Sequence, residues 1–176
     1  DTCGESEATP EERVSPSTTA PASASGTIPR VVSVILNTNR RTDTLECLAS
    51  LEKSSYPEQQ ALVLDNASTD GSVEAIRLAF PDVRVISLAS NLGYAGNNNT
   101  GIAAALAAGA DWVFVLNEDT VLAADCLTHL VEAGERDPGI GIVGPLVYHH
   151  NEPNLIQSAG GKLTRYWESF HLAQNA

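Results

Sequence analysis

The stretch Val31-Val32-Ser33-Val34-Ile35-Leu36-Asn37-Thr38-Asn39 decides how the rest of the chain is read. A strand with one wet face alternates apolar and polar residues, whereas this run is β-rich and almost unbroken, so it is expected to be buried on both faces. It then stops abruptly in amide and hydroxyl side chains. A parallel sheet with helices on both sides accounts for the run, and the sequence on its C-terminal side repeats the pattern. Leu45, Leu48 and Leu51 recur at helical spacing, with Asp43 as candidate N-cap, Glu46 three residues later and Tyr56-Pro57 as the stop. A strand over Ala61 to Leu64 leads through Asp70-Gly71 into a helix carrying Val73, Ile76 and Phe80, which Pro81-Asp82 ends. Val83 to Leu88 is a third strand; a Gly/Asn-rich loop, Gly93 to Gly101, precedes a helix over Thr100 to Ala108 that Gly109 closes. Trp112 to Leu116 is a fourth strand, Cys126 to Glu135 a helix with Leu127, Leu130 and Val131 on one face, and Ile140 to Val147 a fifth strand. The expected fold class is therefore α/β, a Rossmann-like and mostly parallel sheet with helices on both faces. Beyond Tyr148 the pattern weakens to either a hairpin around Gly160-Gly161 or an irregular segment.

Composition bounds the reading. The 176 residues are enough for one sizeable core. Residues 1–30 hold four prolines, many Ser, Thr and Ala and no aromatic residue, so they are expected to be a disordered leader or linker before a folded domain over 31–176. A net charge of −12 argues against nucleic acid as a partner. No run is apolar and long enough for a transmembrane segment. The residues Asp1 to Glu5 have neither the basic start nor the apolar run of a secretory signal. Cys3, Cys47 and Cys126 are odd in number and widely spaced, which predicts reduced thiols and a cytoplasmic location rather than a disulfide framework.

In parallel α/β sheets, ligands bind beyond the carboxyl ends of the strands. Those ends are unusually polar here: Asn37-Thr38-Asn39, then Asp65 through Ser72, then Asn91-Leu92-Gly93, and Asn117-Glu118-Asp119. Such a rim suits a divalent cation that neutralises a diphosphate, with amides and carboxylates directed at a base or ribose. Asp119, just past the strongly apolar run Trp112 to Leu116, is the metal-ligand candidate, provided its strand is central. Asp65 is a candidate for the base or ribose, against an ordinary Asx-turn. Asp70 reads as the cap of the following helix. The literal GxGxxG at Gly139 to Gly144 opens no helix and is set aside as a dinucleotide fingerprint. His149, His150 and His171 do not fall at metal-site spacing.

Taken in order, Val32 to Asn39, Leu64 to Ser72, Asn91 to Ile102 and Leu116-Asn117-Glu118-Asp119 resemble the family-2 glycosyltransferases of the GT-A fold. Gly141-Ile142-Val143-Gly144-Pro145 and Ser158-Ala159-Gly160-Gly161 resemble the branch that includes bacterial rhamnosyltransferases. The resemblance runs from about Val31 to Gly161. It implies inverting transfer from a nucleotide-diphosphate sugar, a UDP- or dTDP-sugar with dTDP-rhamnose among the candidates, to a glycan or lipid-linked acceptor. It also implies Mg2+ or Mn2+ as cofactor and, through a lipid-linked acceptor, a peripheral place at the membrane. By position, Asn37, Thr38, Asp65, Asn99 and Asn117 would be substrate-binding residues, and Asp119 would carry the metal role of the DxD motif.

Two departures stand out. Asn117 replaces the first acid of that motif, and Thr38 stands where many relatives place an aromatic residue. No acid after Tyr148, neither Glu152 nor Glu168, falls in a recognisable motif, so no general base is assigned and the acceptor half reads as incomplete. Tyr166, Trp167 and Phe170 are candidates for an acceptor surface. The alternative is a non-catalytic nucleotide-binding or interaction module that retains the fold.

Overall fold

In a computed structural model of the chain, residues 27–163 and 169–172 are described. The leader through residue 26, the acceptor-surface candidates Tyr166 and Trp167, and the unassigned acid Glu168 lie outside them. Four parallel strands, β1 (Val31–Asn37), β2 (Gln59–Asp65), β3 (Arg84–Ser87) and β4 (Trp112–Asn117), form a sheet in the order β3-β2-β1-β4. The expected α/β class and parallel pairing are what is found. Every residue of β1 is buried. Each of its large aliphatic side chains contributes about 1.5–3 kcal/mol on burial, which is why this unbroken run takes the position between two neighbours.

Helices α1 (Arg41–Glu52), α2 (Ser72–Ala79) and α4 (Cys126–Gly134) cover one face, and α3 (Gly93–Ala107) covers the other. On the first face Val31, Ile35 and Val63 meet Leu48, Ile76 and Leu127. On the second, Val34, Leu36, Leu62 and Leu64 meet Ala105. Gly101 brings α3 close to the sheet: a Cβ there would collide with Val34 Cγ1 and stand 2.7 Å from Leu64 Cδ1. Pro29 and Arg30 already belong to this body, because Tyr56 Oη donates to the Pro29 carbonyl at 2.6 Å and the Arg30 N–H donates to Asp111 at 2.7 Å.

Four expectations are corrected. Asp43 does not cap α1: it sits in the first turn beside Arg40, and the Arg41 N–H is instead bonded by Asp70 from another loop. Gly93 to Gly101 is not a loop, because α3 begins at Gly93, where asparagine side chains satisfy the local backbone. Ile140 to Val147 is not a fifth sheet strand. Gly141 and Gly144 weaken any strand there, Pro145 cannot donate to a ladder, and only Val147 joins a separate strand, β5 (Val147–His149). Strand β4 is not central: it forms an edge of the four-stranded sheet among the described residues, and Val115 is exposed.

Strand β5 pairs antiparallel with β6 (Glu152–Ser158), and β7 (Gly161–Leu163) with β8 (Ser169–His171). The weak region is therefore two short ribbons, and Gly160, at φ +95°, lies between β6 and β7 rather than at a hairpin tip.

Candidate donor shelf at the strand ends

Parallel register brings the polar strand ends together. Asn37 pairs with Asp65 across β1 and β2, and Leu36 with Asn117 across β1 and β4. The β1–α1 and β2–α2 loops are then knitted by side chains. Asn37 is fully buried: its Nδ2 donates to Asp65 Oδ1 at 2.8 Å and to Ser68 Oγ at 3.0 Å, while its Oδ1 accepts from Thr44 Oγ1 at 2.9 Å and the Arg40 N–H at 3.3 Å. Asp65, also buried, accepts the Ser68 N–H at 3.1 Å through Oδ2. This bond reaches three residues on, not the two of an Asx-turn, but it fixes the same loop, and both Asn37 and Asp65 hold the floor of the site. Asn39, at φ 54°, accepts the Thr69 N–H at 2.8 Å, and Ser68 Oγ accepts the Asn39 N–H at 3.0 Å.

Asp70 caps two helices at once. Its Oδ1 accepts from the Ser72 N–H at 3.0 Å and from the Ser72 hydroxyl, and its Oδ2 accepts the Arg41 N–H at 2.9 Å. The Ser72 hydroxyl bond is the main reason its carboxyl is held below the usual range. The helix-capping reading of Asp70 is correct, and the second cap crosses between loops in a way that local sequence does not reveal.

The opposite wall comes from α3. Asn97 accepts the Leu92 N–H at 3.0 Å and donates to Asn91 at 3.2 Å, while Asn98 donates to the Tyr94 carbonyl at 3.0 Å. Tyr94 Oη donates to Asn117 Oδ1 at 2.9 Å, tying α3 to the end of β4. Asn99 is exposed on α3 and its side chain makes no hydrogen bond among the described residues; Thr38 is exposed and accepts from Asn66 Nδ2 at 3.4 Å. Asn39, Ser68, Tyr94, Asn97 and Glu118 join the shelf without having stood out as site residues in the sequence. The four-residue spacing of Tyr94 and Asn98, and of Asn97 and Gly101, was the available sign that one face of α3 meets the sheet.

Past β4, Asp119 is exposed and has no hydrogen-bond or ion-pair partner among the described residues. Glu118 beside it is half-buried, and burial, with the Asp119 charge adding to it, pushes its carboxyl up. Below, the Sγ of buried Cys47 lies 3.9 Å from the Asn117 carbonyl, and burial and then the Asp119 and Glu118 charges push the thiol up to about 12. Both described cysteines are free thiols.

No group of three His, Cys, Asp or Glu side chains could hold a metal among the described residues. One or two carboxylates are nonetheless what Mg2+ or Mn2+ takes from protein when phosphates and water fill its other positions. An unpartnered Asp119 beside a half-buried Glu118 fits that limited role. A cavity of about 140 Å3 on the flank of β4, lined by Trp112, Phe114, Leu127 and Val143 among others, is apolar and separate from this shelf.

The shelf can be set beside known proteins. An N-acetylglucosaminyl-diphospho-decaprenol L-rhamnosyltransferase of Mycobacterium tuberculosis is 35% identical over 108 residues, covering 57% of this chain and 35% of its own. An N-acetylglucosaminyltransferase of Bradyrhizobium elkanii is 33% identical over 127 residues, 68% of each chain. The chain thus spans about a third of the first relative's length and about two thirds of the second's. Among solved structures, a mannosyltransferase of Pyrobaculum calidifontis in complex with GDP-Man and Mn2+ superposes with a TM-score of 0.60 at 25% identity, covering 74% of this chain and 40% of that one. S. aureus TarS in complex with UDP-GlcNAc, at 19% identity and a TM-score of 0.52 over 70% of this chain and 41% of that one, shares the fold. The sheet with helices on both faces is thus the GT-A glycosyltransferase fold. The sequence model described as glycosyl transferase family 2 matches residues 33–174, and with that match across the sheet, the shelf and the two ribbons, the chain belongs to this family.

Proposed function

We propose that the shelf at the ends of β1, β2 and β4 binds a nucleotide-diphosphate sugar with Mg2+ or Mn2+, and that the chain is the donor-binding part of an inverting glycosyltransferase. The observation that carries this reading is the free, exposed Asp119 at the end of β4, beside Glu118 and opposite the N-terminal turn of α3. A cation there would neutralise charge on the departing diphosphate. Asp119 is its ligand, with Glu118 contributing when ionised. Thr38, Asn99 and Asn117, all exposed, are the residues that can reach the nucleotide or sugar. Asn37 and Asp65 act by holding the loops in register, and Asp65 keeps lone-pair capacity toward a base.

The relatives' names divide between rhamnosyl and N-acetylglucosaminyl transfer, which supports dTDP-rhamnose and UDP-GlcNAc as the donors to compare. A decaprenol-linked acceptor in the first name supports a lipid-linked acceptor and a place peripheral to a membrane. Among the described residues no helix is long and apolar enough to cross one.

The test is calorimetric titration with UDP and dTDP in Mn2+, in Mg2+ and in EDTA. Cation-dependent binding that Asp119→Ala weakens at least about tenfold is the expected result, a loss of about 1.4 kcal/mol. Binding equally tight in EDTA, or binding unchanged by the substitution, would show that the donor assignment is wrong.

A further inference from the structure

Tyr94 lies in the first turn of α3, is 61% exposed, and is nevertheless held at both ends. Its carbonyl accepts from Asn98 Nδ2 at 3.0 Å, and its hydroxyl donates to Asn117 Oδ1 at 2.9 Å. Asn98 is 4% exposed, so the turn that carries the tyrosine is anchored from inside the fold. An asparagine side chain offers one oxygen acceptor and two N–H donors. With one lone pair of Oδ1 engaged by the hydroxyl, and that oxygen thereby turned toward α3, Nδ2 is the one polar atom of the exposed Asn117 side chain without a partner among the described residues. The hydroxyl proton competes with any cation for that oxygen, whereas the N–H groups suit an anion.

We propose that Tyr94 is a positioning residue that fixes the Asn117 amide, so that this position donates hydrogen bonds to the anionic part of the donor and leaves the cation to Asp119 and Glu118. This assigns Asn117 a role opposite to that of a metal-binding acid, and it rests on the donor-site reading above. The tyrosine ring touches no reacting atom in this scheme. It acts by turning Asn117 Oδ1 toward α3 and holding the side chain in one rotamer.

The experiment is a double-mutant cycle on the whole chain, with UDP and dTDP titrated in Mn2+ and in EDTA against wild type, Tyr94→Phe, Asn117→Ala and the double variant, and with Asn117→Asp as a fifth protein. Asn117→Ala is expected to weaken nucleotide binding about tenfold and Tyr94→Phe about threefold, with the double variant no weaker than Asn117→Ala alone. Mn2+ titrated alone should bind Tyr94→Phe and Asn117→Asp more tightly than wild type, while in EDTA Asn117→Asp should bind nucleotide more weakly than Asn117→Ala. Those metal readouts would not move if Tyr94 merely stabilised α3. Additive losses, or Mn2+ affinity unchanged in both Tyr94→Phe and Asn117→Asp, would overturn the inference while nucleotide binding by the wild type upheld the donor site. No nucleotide binding by the wild type under any condition would overturn the donor site and this inference together.

Discussion

Replacing Asn37 by alanine should be the most informative perturbation of the fold and of the shelf together. The substitution removes four hydrogen bonds from a side chain with no exposed surface. Two of them decide the cost. The 2.8 Å bond to the Asp65 carboxylate is buried, and a hydrogen bond to a charged group is worth about 1.5–3 kcal/mol. The Thr44 hydroxyl, also fully buried, loses its acceptor, and an orphaned buried hydroxyl costs about 1–3 kcal/mol. Ser68 and the Arg40 N–H lie closer to solvent and can turn to water, so their loss adds little. The expected total is about 3–5 kcal/mol, which at an m-value of about 2 kcal/mol/M lowers the urea midpoint by roughly 2 M. Equilibrium urea unfolding followed by far-ultraviolet circular dichroism reads it.

Asn37→Asp then separates packing from electrostatics. It sets two carboxylates side by side, so one proton is shared and the folded-state pKa of the pair rises above the unfolded value. Stability of that variant should be greatest below the ordinary carboxylate range and should fall as pH rises through the raised value. A cost below about 1 kcal/mol for alanine, together with no such pH slope for aspartate, would refute the claim that Asn37 is the hub of the two loops.

Further outcomes follow from other contacts. Gly101→Ala should lose about 1–3 kcal/mol to overpacking against Val34 and Leu64 despite the helix propensity of alanine, and an unchanged or raised melting temperature would contradict the close approach of α3. Cys47, pushed from 9.0 to about 12, should resist alkylation at pH 8 in the folded chain, as peptide mapping can show. Because its folded value is raised, the stability linked to it is complete below 9.0 and is lost as pH rises toward about 12, a slope that Cys47→Ala should lack. Tyr56, raised chiefly by burial, adds a loss of the same sign that remains in that variant. Mn2+-dependent UDP binding should strengthen as pH rises through the elevated carboxyl value of Glu118, since the protonated acid is a poor ligand, and Glu118→Gln should flatten that profile.

Much of the frame was legible from pattern alone. The unbroken run at Val31 to Leu36 required burial on both faces, and the structure buries all of it. Asp70 before Ser72 and Gly109 after α3 act through the backbone within a few residues, which is why their capping and left-handed roles could be read locally. The start of α3 was not legible, because glycine and asparagine at 93–99 oppose a helix intrinsically and are overruled by amide bonds from Asn91, Asn97 and Asn98. The apolar run at 140–147 is not a sheet strand for the converse reason: apolar content does not supply a ladder partner.

The candidate site divides in the same way. Chain order and strand polarity by themselves determined that Asn37, Asp65 and Asn117 to Asp119 would share one edge of the sheet, since parallel strands must end on the same side. Only the tertiary structure decided that Asn37 and Asp65 face each other below the surface and that Tyr94 takes the oxygen of Asn117, while Asp119 stays free. Those outcomes depend on register between segments 28 and 23 residues apart, which is set by packing across the whole sheet and not by any local preference.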